Sequence, residues 1–124
     1  MKAVNLEPYV SAWHLRFRKR DEAMARLAAE ARAILPRLVS HLVEAHGARR
    51  VWLFGSLAEG GFEEDSDIDL AVEGLPAGAA PFRAAAELDD LARPFRVDLV
   101  PIEDASDALR ERILQHGESI HGPA

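Results

Sequence analysis

The chain has 124 residues, no cysteine and a formal net charge of −6, with 48% apolar and 29% charged residues. That composition suits one globular domain with a modest core, and it excludes disulfides and thiolate metal sites. An acidic chain fits a nucleic-acid backbone poorly, and no apolar run approaches the ~20 residues of a membrane helix, so neither partner is expected. The start, "MKAVNLEPYV", lacks the apolar core of a secretory signal, and the absence of cysteine suits a reducing compartment. A cytoplasmic protein is expected.

From Leu6 to Leu38 apolar residues recur in steps of three and four: Leu6, Val10, Trp13, Phe17, Met24, Leu27, Ala31, Ile34 and Leu38. This predicts a long amphipathic helix, with Arg20 interrupting the seam and Gly47 as its stop. Pro36 should kink it without shifting the stripe, which continues through Leu42 and Val43. A straight helix of that extent would measure about 60 Å, against about 35 Å for a compact chain of this size. Its first half is therefore expected to project as an arm and its second half to pack on a sheet. The alternative is a break near Asp21 with two helices folded together. An arm would leave Trp13 and Phe17 as partner anchors, whereas folding back would make them core. The basic run Arg16 to Arg20 reads as a solvated helix face.

After Gly47 the texture changes. "RRVWLFGS" is a strand closed by Gly-Ser, with Trp52 directed to the core, and "SDIDLAVEG" alternates as a second strand ending at Gly74. "LPAGAAP" is a loop, and "PFRAAAELDDLA" a helix with Pro81 in its first turn. "FRVDLVP" is a third strand, "EDASDALRERILQHG" a helix stopped by Gly117, and "ESIHGPA" a tail. The fold expected is α/β (α+β): two layers, a small mixed sheet, helices on one face and a long N-terminal helix. Residues 1–46 form the helical arm in this reading and 47–124 the domain.

Asp67 and Asp69, two apart in a predicted strand, leave the same face, while Ile68 and Leu70 point to the opposite layer. Paired carboxylates repel unless a cation joins them, and Mg²⁺ accepts such ligands alongside phosphate oxygens. Two-apart acids also occur on ordinary solvated strands. Asp98, within "RVDLV", is expected in a largely buried strand, where a lone acid needs a partner or a metal. Beside the first strand pair it would complete a three-carboxylate cluster able to hold two ions about 3.5–4 Å apart. The alternative is that Asp98 caps a backbone group or pairs with an arginine. Gly55 and Ser56 open a short helix where backbone N–H groups and a hydroxyl could meet phosphate, or where Ser56 simply serves as N-cap. His14, His41, His46, His116 and His121 show no metal-ligand spacing with acids.

"VWLFGSLAEGGFEEDSDIDLAV", with Asp98 on a later strand, resembles the DNA polymerase β-type nucleotidyltransferase superfamily. It is most similar to the minimal nucleotidyltransferases (MNT proteins) paired with HEPN-domain toxins. The resemblance spans roughly Val51 to Val100. It implies that Gly55, Ser56 and Ser66 contact the nucleotide and that Asp67, Asp69 and Asp98 are catalytic and hold two Mg²⁺ ions, Asp98 also assisting deprotonation of the acceptor. It implies an antitoxin of a type VII-like pair that transfers AMP from ATP to a hydroxyl, such as a tyrosine, of its HEPN toxin. The alternatives are a binding antitoxin acting by occlusion and a small-molecule nucleotidyltransferase. Self-association through the N-terminal helix is a further expectation. The chain departs from the family in one place: Gly55-Ser56-Leu57-Ala58-Glu59-Gly60 lacks the usual basic residues. Arg49, Arg50 and Arg83 are the candidates to replace them.

Overall fold

The computed structural model describes residues 3–123. The N-terminal segment is a long helix bent at Ile34, which divides it into α1 (Glu7–Ala33) and α2 (Leu35–His46). The chain stays helical through Asp21 and breaks at Ile34, two residues ahead of Pro36. The cause is local: Pro36 offers no N–H and its ring crowds the carbonyl four residues back, so the ladder is interrupted and Pro36 sits in the first turn of α2. Gly47, at φ 72°, ends α2 in the left-handed conformation that glycine takes at least cost.

Burial rises along α1. Leu6, Tyr9, Val10, Trp13 and Phe17 are exposed, Met24 and Leu27 are half-buried, and Ala31 is fully buried. The apolar stripe is continuous in sequence, but only its C-terminal end has a surface to cover. Leu38 and Leu42 of α2 continue it into the core, fully buried.

The sheet contains β1 (Arg50–Phe54), β2 (Ile68–Glu73), β3 (Val97–Pro101) and β4 (Glu118–His121), ordered β3-β2-β1-β4. β2 runs antiparallel to β1 and parallel to β3, and β4 runs antiparallel to β1, so the sheet is mixed as expected. Between the strands lie α3 (Gly55–Glu59), α4 (Ala80–Ala92), a 3-10 turn at Ile102–Asp104, and α5 (Asp107–His116). The segment after Gly117, a tail in sequence, pairs with β1 over Glu118–His121.

Strand alternation divides the core. Val51, Leu53, Ile68, Leu70 and Val72 meet Leu38, Leu42, Ala84 and Leu88 from α2 and α4. Each such buried aliphatic side chain contributes about 1.5–3 kcal/mol. On the other face Trp52 and Ala71 form a smaller cluster with Ile102 and with Ile113 of α5. That smaller cluster leaves the end of the second face uncovered, where Asp69 and Asp98 sit.

Candidate active site

The site lies where β1 ends and β2 and β3 begin, on the less covered face. Asp67 immediately precedes β2, and Asp69 lies within it. The flanking Ile68 and Leu70 are fully buried on the helical face, as the alternation requires. Asp69 and Asp98 are register partners across the parallel β2–β3 pair, so their side chains leave the sheet side by side. Across β1, Asp69 faces Phe54, and the next residue is Gly55.

Electrostatics link the three acids. Burial pushes Asp69 up from its ordinary value of 3.8 to about 6, and the nearby charges of Asp98 and then Asp67 push in the same direction. One point corrects the sequence reading: Asp98 is exposed, not buried, because β3 is an edge strand. Its apolar neighbours Val97 and Leu99 face the opposite side, so burial gives no reason for Asp98 to need a partner. Its position beside Asp69 is set by strand register. Asp98 forms no ion pair among the described residues; it is Asp67 that meets an arginine, with Arg96 Nε 3.2 Å from Oδ1.

That oxygen is enclosed and receives no hydrogen bond. The Arg96 contact satisfies the distance of an ion pair but not the direction of a hydrogen bond, so the oxygen's lone pairs remain unused. Gly55 adds a second constraint. Its φ is 70°, and a Cβ built there would fall on the Asp69 carboxylate. Glycine is thus required both by the backbone and by the acid packed against it. An acid held against its ionisation and an all-oxygen donor set suit a hard divalent cation such as Mg²⁺, and the three carboxylates would have to draw together, with Asp67 leaving Arg96, to share one.

Ser56 follows Gly55 in α3 and lines a cleft of about 370 Å³ with Leu57, Gly60, Phe62 and, from α1, Arg20 and Met24. Ser66 is engaged locally: its hydroxyl accepts from the Glu63 N–H at 3.0 Å, and its own N–H donates to the Glu63 carbonyl at 3.1 Å. This turn holds the loop that leads into Asp67.

The arginines nominated to replace the missing basic residues do not do so. Arg49 and Arg50 pair with Glu73 at the opposite end of the β1–β2 ladder, and Arg83 is exposed on α4. Other arginines approach instead. Arg112 of α5 reaches Glu59 at 3.3 Å, and Arg20 of α1 lies 3.8 Å from Glu63 and 3.6 Å from Glu64. Sequence reasoning missed both, although Arg20 left a trace as the interruption in the apolar seam.

The histidines also require a correction. His41 and His46 meet Glu87, with Nε2 to Oε1 distances of 2.9 and 2.6 Å. The acid comes from α4, more than forty positions away, so local spacing could not show it.

The polymerase beta nucleotidyltransferase family matches residues 37–123. The chain belongs to that family. The match begins inside α2, so α1 lies outside it. Among solved structures, the chain is similar to a toxin–antitoxin complex with AMP-PNP, at 27% identity over 70% of this chain and 73% of that one, with a TM-score of 0.61. It is similar to a mutant of the MntA–HpeT toxin–antitoxin complex, at 26% identity over 71% and 72%, TM-score 0.62. It is also similar to a candidate minimal nucleotidyltransferase, at 36% identity over 82% of this chain and 95% of that one, TM-score 0.54. No curated protein matches the chain.

Proposed function

We propose that this nucleotidyltransferase is a minimal antitoxin that transfers AMP from ATP to a hydroxyl, such as a tyrosine, of a HEPN-type toxin. The observation that carries the reading is the register pairing of Asp69 with Asp98, with Asp67 two residues before Asp69 and Gly55 packed against the Asp69 carboxylate. Support for the partner comes from the toxin–antitoxin complexes the chain resembles, one of them holding AMP-PNP.

Asp67, Asp69 and Asp98 would hold Mg²⁺, which supplies neutralisation of phosphate charge and a more acidic acceptor hydroxyl. In the reaction the acceptor oxygen bonds to the α-phosphorus, the α–β bridging bond breaks, and pyrophosphate leaves. Asp98, exposed on an edge strand, is open to an acceptor arriving from solvent and can take its proton. Gly55 keeps the backbone close to Asp69, and Ser56 offers a hydroxyl from the adjoining cleft. Ser66 acts through the loop: its hydrogen bonds with Glu63 fix the approach to Asp67.

The exposed stripe on α1 is the surface assigned to the toxin. Leu6, Tyr9, Val10, Trp13 and Phe17 line an apolar groove, and the Trp13 and Phe17 rings stand edge to face with centroids 5.6 Å apart. Aromatic anchors of this kind dominate protein interfaces. A second copy of the chain is the competing occupant, and sedimentation of the protein alone separates the two.

A second reading, neutralisation by binding alone, is favoured by one observation: Gly55-Ser56-Leu57-Ala58-Glu59-Gly60 carries no basic residue. Labelled ATP, Mg²⁺ and a HEPN-type toxin as acceptor distinguish them. Label on the toxin, abolished by Asp69→Asn, supports transfer; a tight complex without label supports occlusion and overturns the enzymatic reading.

A further inference from the structure

A second constellation lies on the other side of the sheet. His41 and His46 sit five positions apart on α2, the latter at its last turn, and Glu87 faces them from α4. Both Nε2 atoms point at one oxygen, Oε1, and the three ligating atoms lie within 4.8 Å of one another. The His46 side chain is 9% exposed, and the other two are half-buried. The two rings stand edge to face, 5.4 Å between centroids.

We infer that His41, His46 and Glu87 form a zinc-type cation site that clips α2 to α4. The donor set is two imidazoles and one carboxylate, which suits Zn²⁺ and leaves a fourth position for water. The fit is geometric. Tetrahedral zinc with bonds near 2.0–2.1 Å places its ligand atoms ~3.3 Å apart. The present contacts of 2.9 and 2.6 Å need to open by about 0.4 and 0.7 Å to admit the ion. To ligate, each ring must present its Nε2 lone pair to the ion and carry its proton on Nδ1. The hydrogen bonds from the two rings already hold Glu87 below the usual carboxylate range, as an anion.

The site is separate from the three aspartates. α2 and α4 cover the face that buries Ile68 and Leu70, whereas Asp69 leaves the opposite face. An ion held there would cross-link two helices that contact each other on the sheet.

The test uses the full, tag-free chain and ZnCl₂. At metal about a hundredfold above Kd the unfolding midpoint rises by roughly 10 °C. One equivalent binds, and Co²⁺ gives the intense visible bands of a four-coordinate site. The response disappears in His41→Ala and in Glu87→Gln and persists in Asp69→Asn. No midpoint rise in the wild-type chain, or an equal rise in His41→Ala, overturns the assignment. Glu87→Gln keeps the test decisive if a histidine variant folds poorly, because it removes the ligand charge and retains the side-chain volume.

Discussion

Removing the charge of Asp98 tests whether the three acids share one electrostatic site. Asp69 is pushed up to about 6 by burial first, by Asp98 second and by Asp67 third. Since burial is the largest of the three causes and remains in the variant, Asp98→Asn should lower the Asp69 midpoint by less than about one pH unit. The direction of the stability effect follows. In the metal-free protein Asp69 binds its proton more tightly when folded than when unfolded, so unfolding releases a proton between about pH 4 and 6. Its contribution is nil below that window and unfavourable above it. Two pH units correspond to about 3 kcal/mol before screening, and the partial exposure of the carboxylate reduces this to about 1 kcal/mol. Cation binding reverses the preference, because the metal takes only the ionised form. On Asp69 alone, apparent Mg²⁺ affinity should therefore fall about tenfold from pH 7 to pH 5. Carbon-detected NMR of the Asp69 carboxyl gives the midpoint, and calorimetry at the two pH values gives the affinity ratio. A wild-type midpoint at the ordinary 3.8, or one unmoved by Asp98→Asn, refutes the convergence.

Gly55→Ala places a side chain in a left-handed conformation and onto Asp69; the backbone alone costs about 1–2 kcal/mol, read as a lower midpoint in thermal unfolding, and AMP transfer should fall at least about hundredfold. Trp13→Ala combined with Phe17→Ala should leave the unfolding midpoint within about 2 °C of wild type, since both rings are exposed, while weakening toxin binding at least about thirtyfold by calorimetry. Leu38→Ala opens a cavity under the sheet and should cost about 2–5 kcal/mol in denaturant titration, with no direct effect on the aspartates.

What could be read from the sequence was whatever has a local cause. The alternation in β2, the stop at Gly47 and the proline in the first turn of α4 each depend on residues a few positions apart, and each lies where the sequence indicates. β4 escaped because Glu118–His121 is short and largely polar; its structure comes from pairing with β1, not from its own pattern. The burial of Asp98 was misjudged for a related reason. Val97, Leu99 and Val100 look like a central strand, but edge position depends on strand order, which a single strand's sequence does not carry. The meeting of Glu87 with two histidines, and of Arg20 with the acidic loop, depends on how separate elements pack and leaves no local signature beyond the break in the stripe at Arg20.

The stretch after Gly55, which lacks the family's basic residues and continues into the acidic Glu63 and Glu64, has a different physical meaning once its partners are known. Glu59, Glu63 and Glu64 hold Arg112 and Arg20 close to α3 through exposed ion pairs, at 3.3 to 3.8 Å. Pairs of that kind contribute at most about 1 kcal/mol, because solvent screens them and two long side chains must be ordered. A triphosphate carries more charge than a carboxylate and offers several acceptor oxygens to each guanidinium. In the proposed reaction the exchange from glutamate to phosphate is thus downhill, and the arginines need not be adjacent to Gly55 in sequence to serve it. The same exchange would free the glutamates to repel the departing pyrophosphate. A loop that lacks the family's basic residues can therefore keep their function by borrowing cations from α1 and α5.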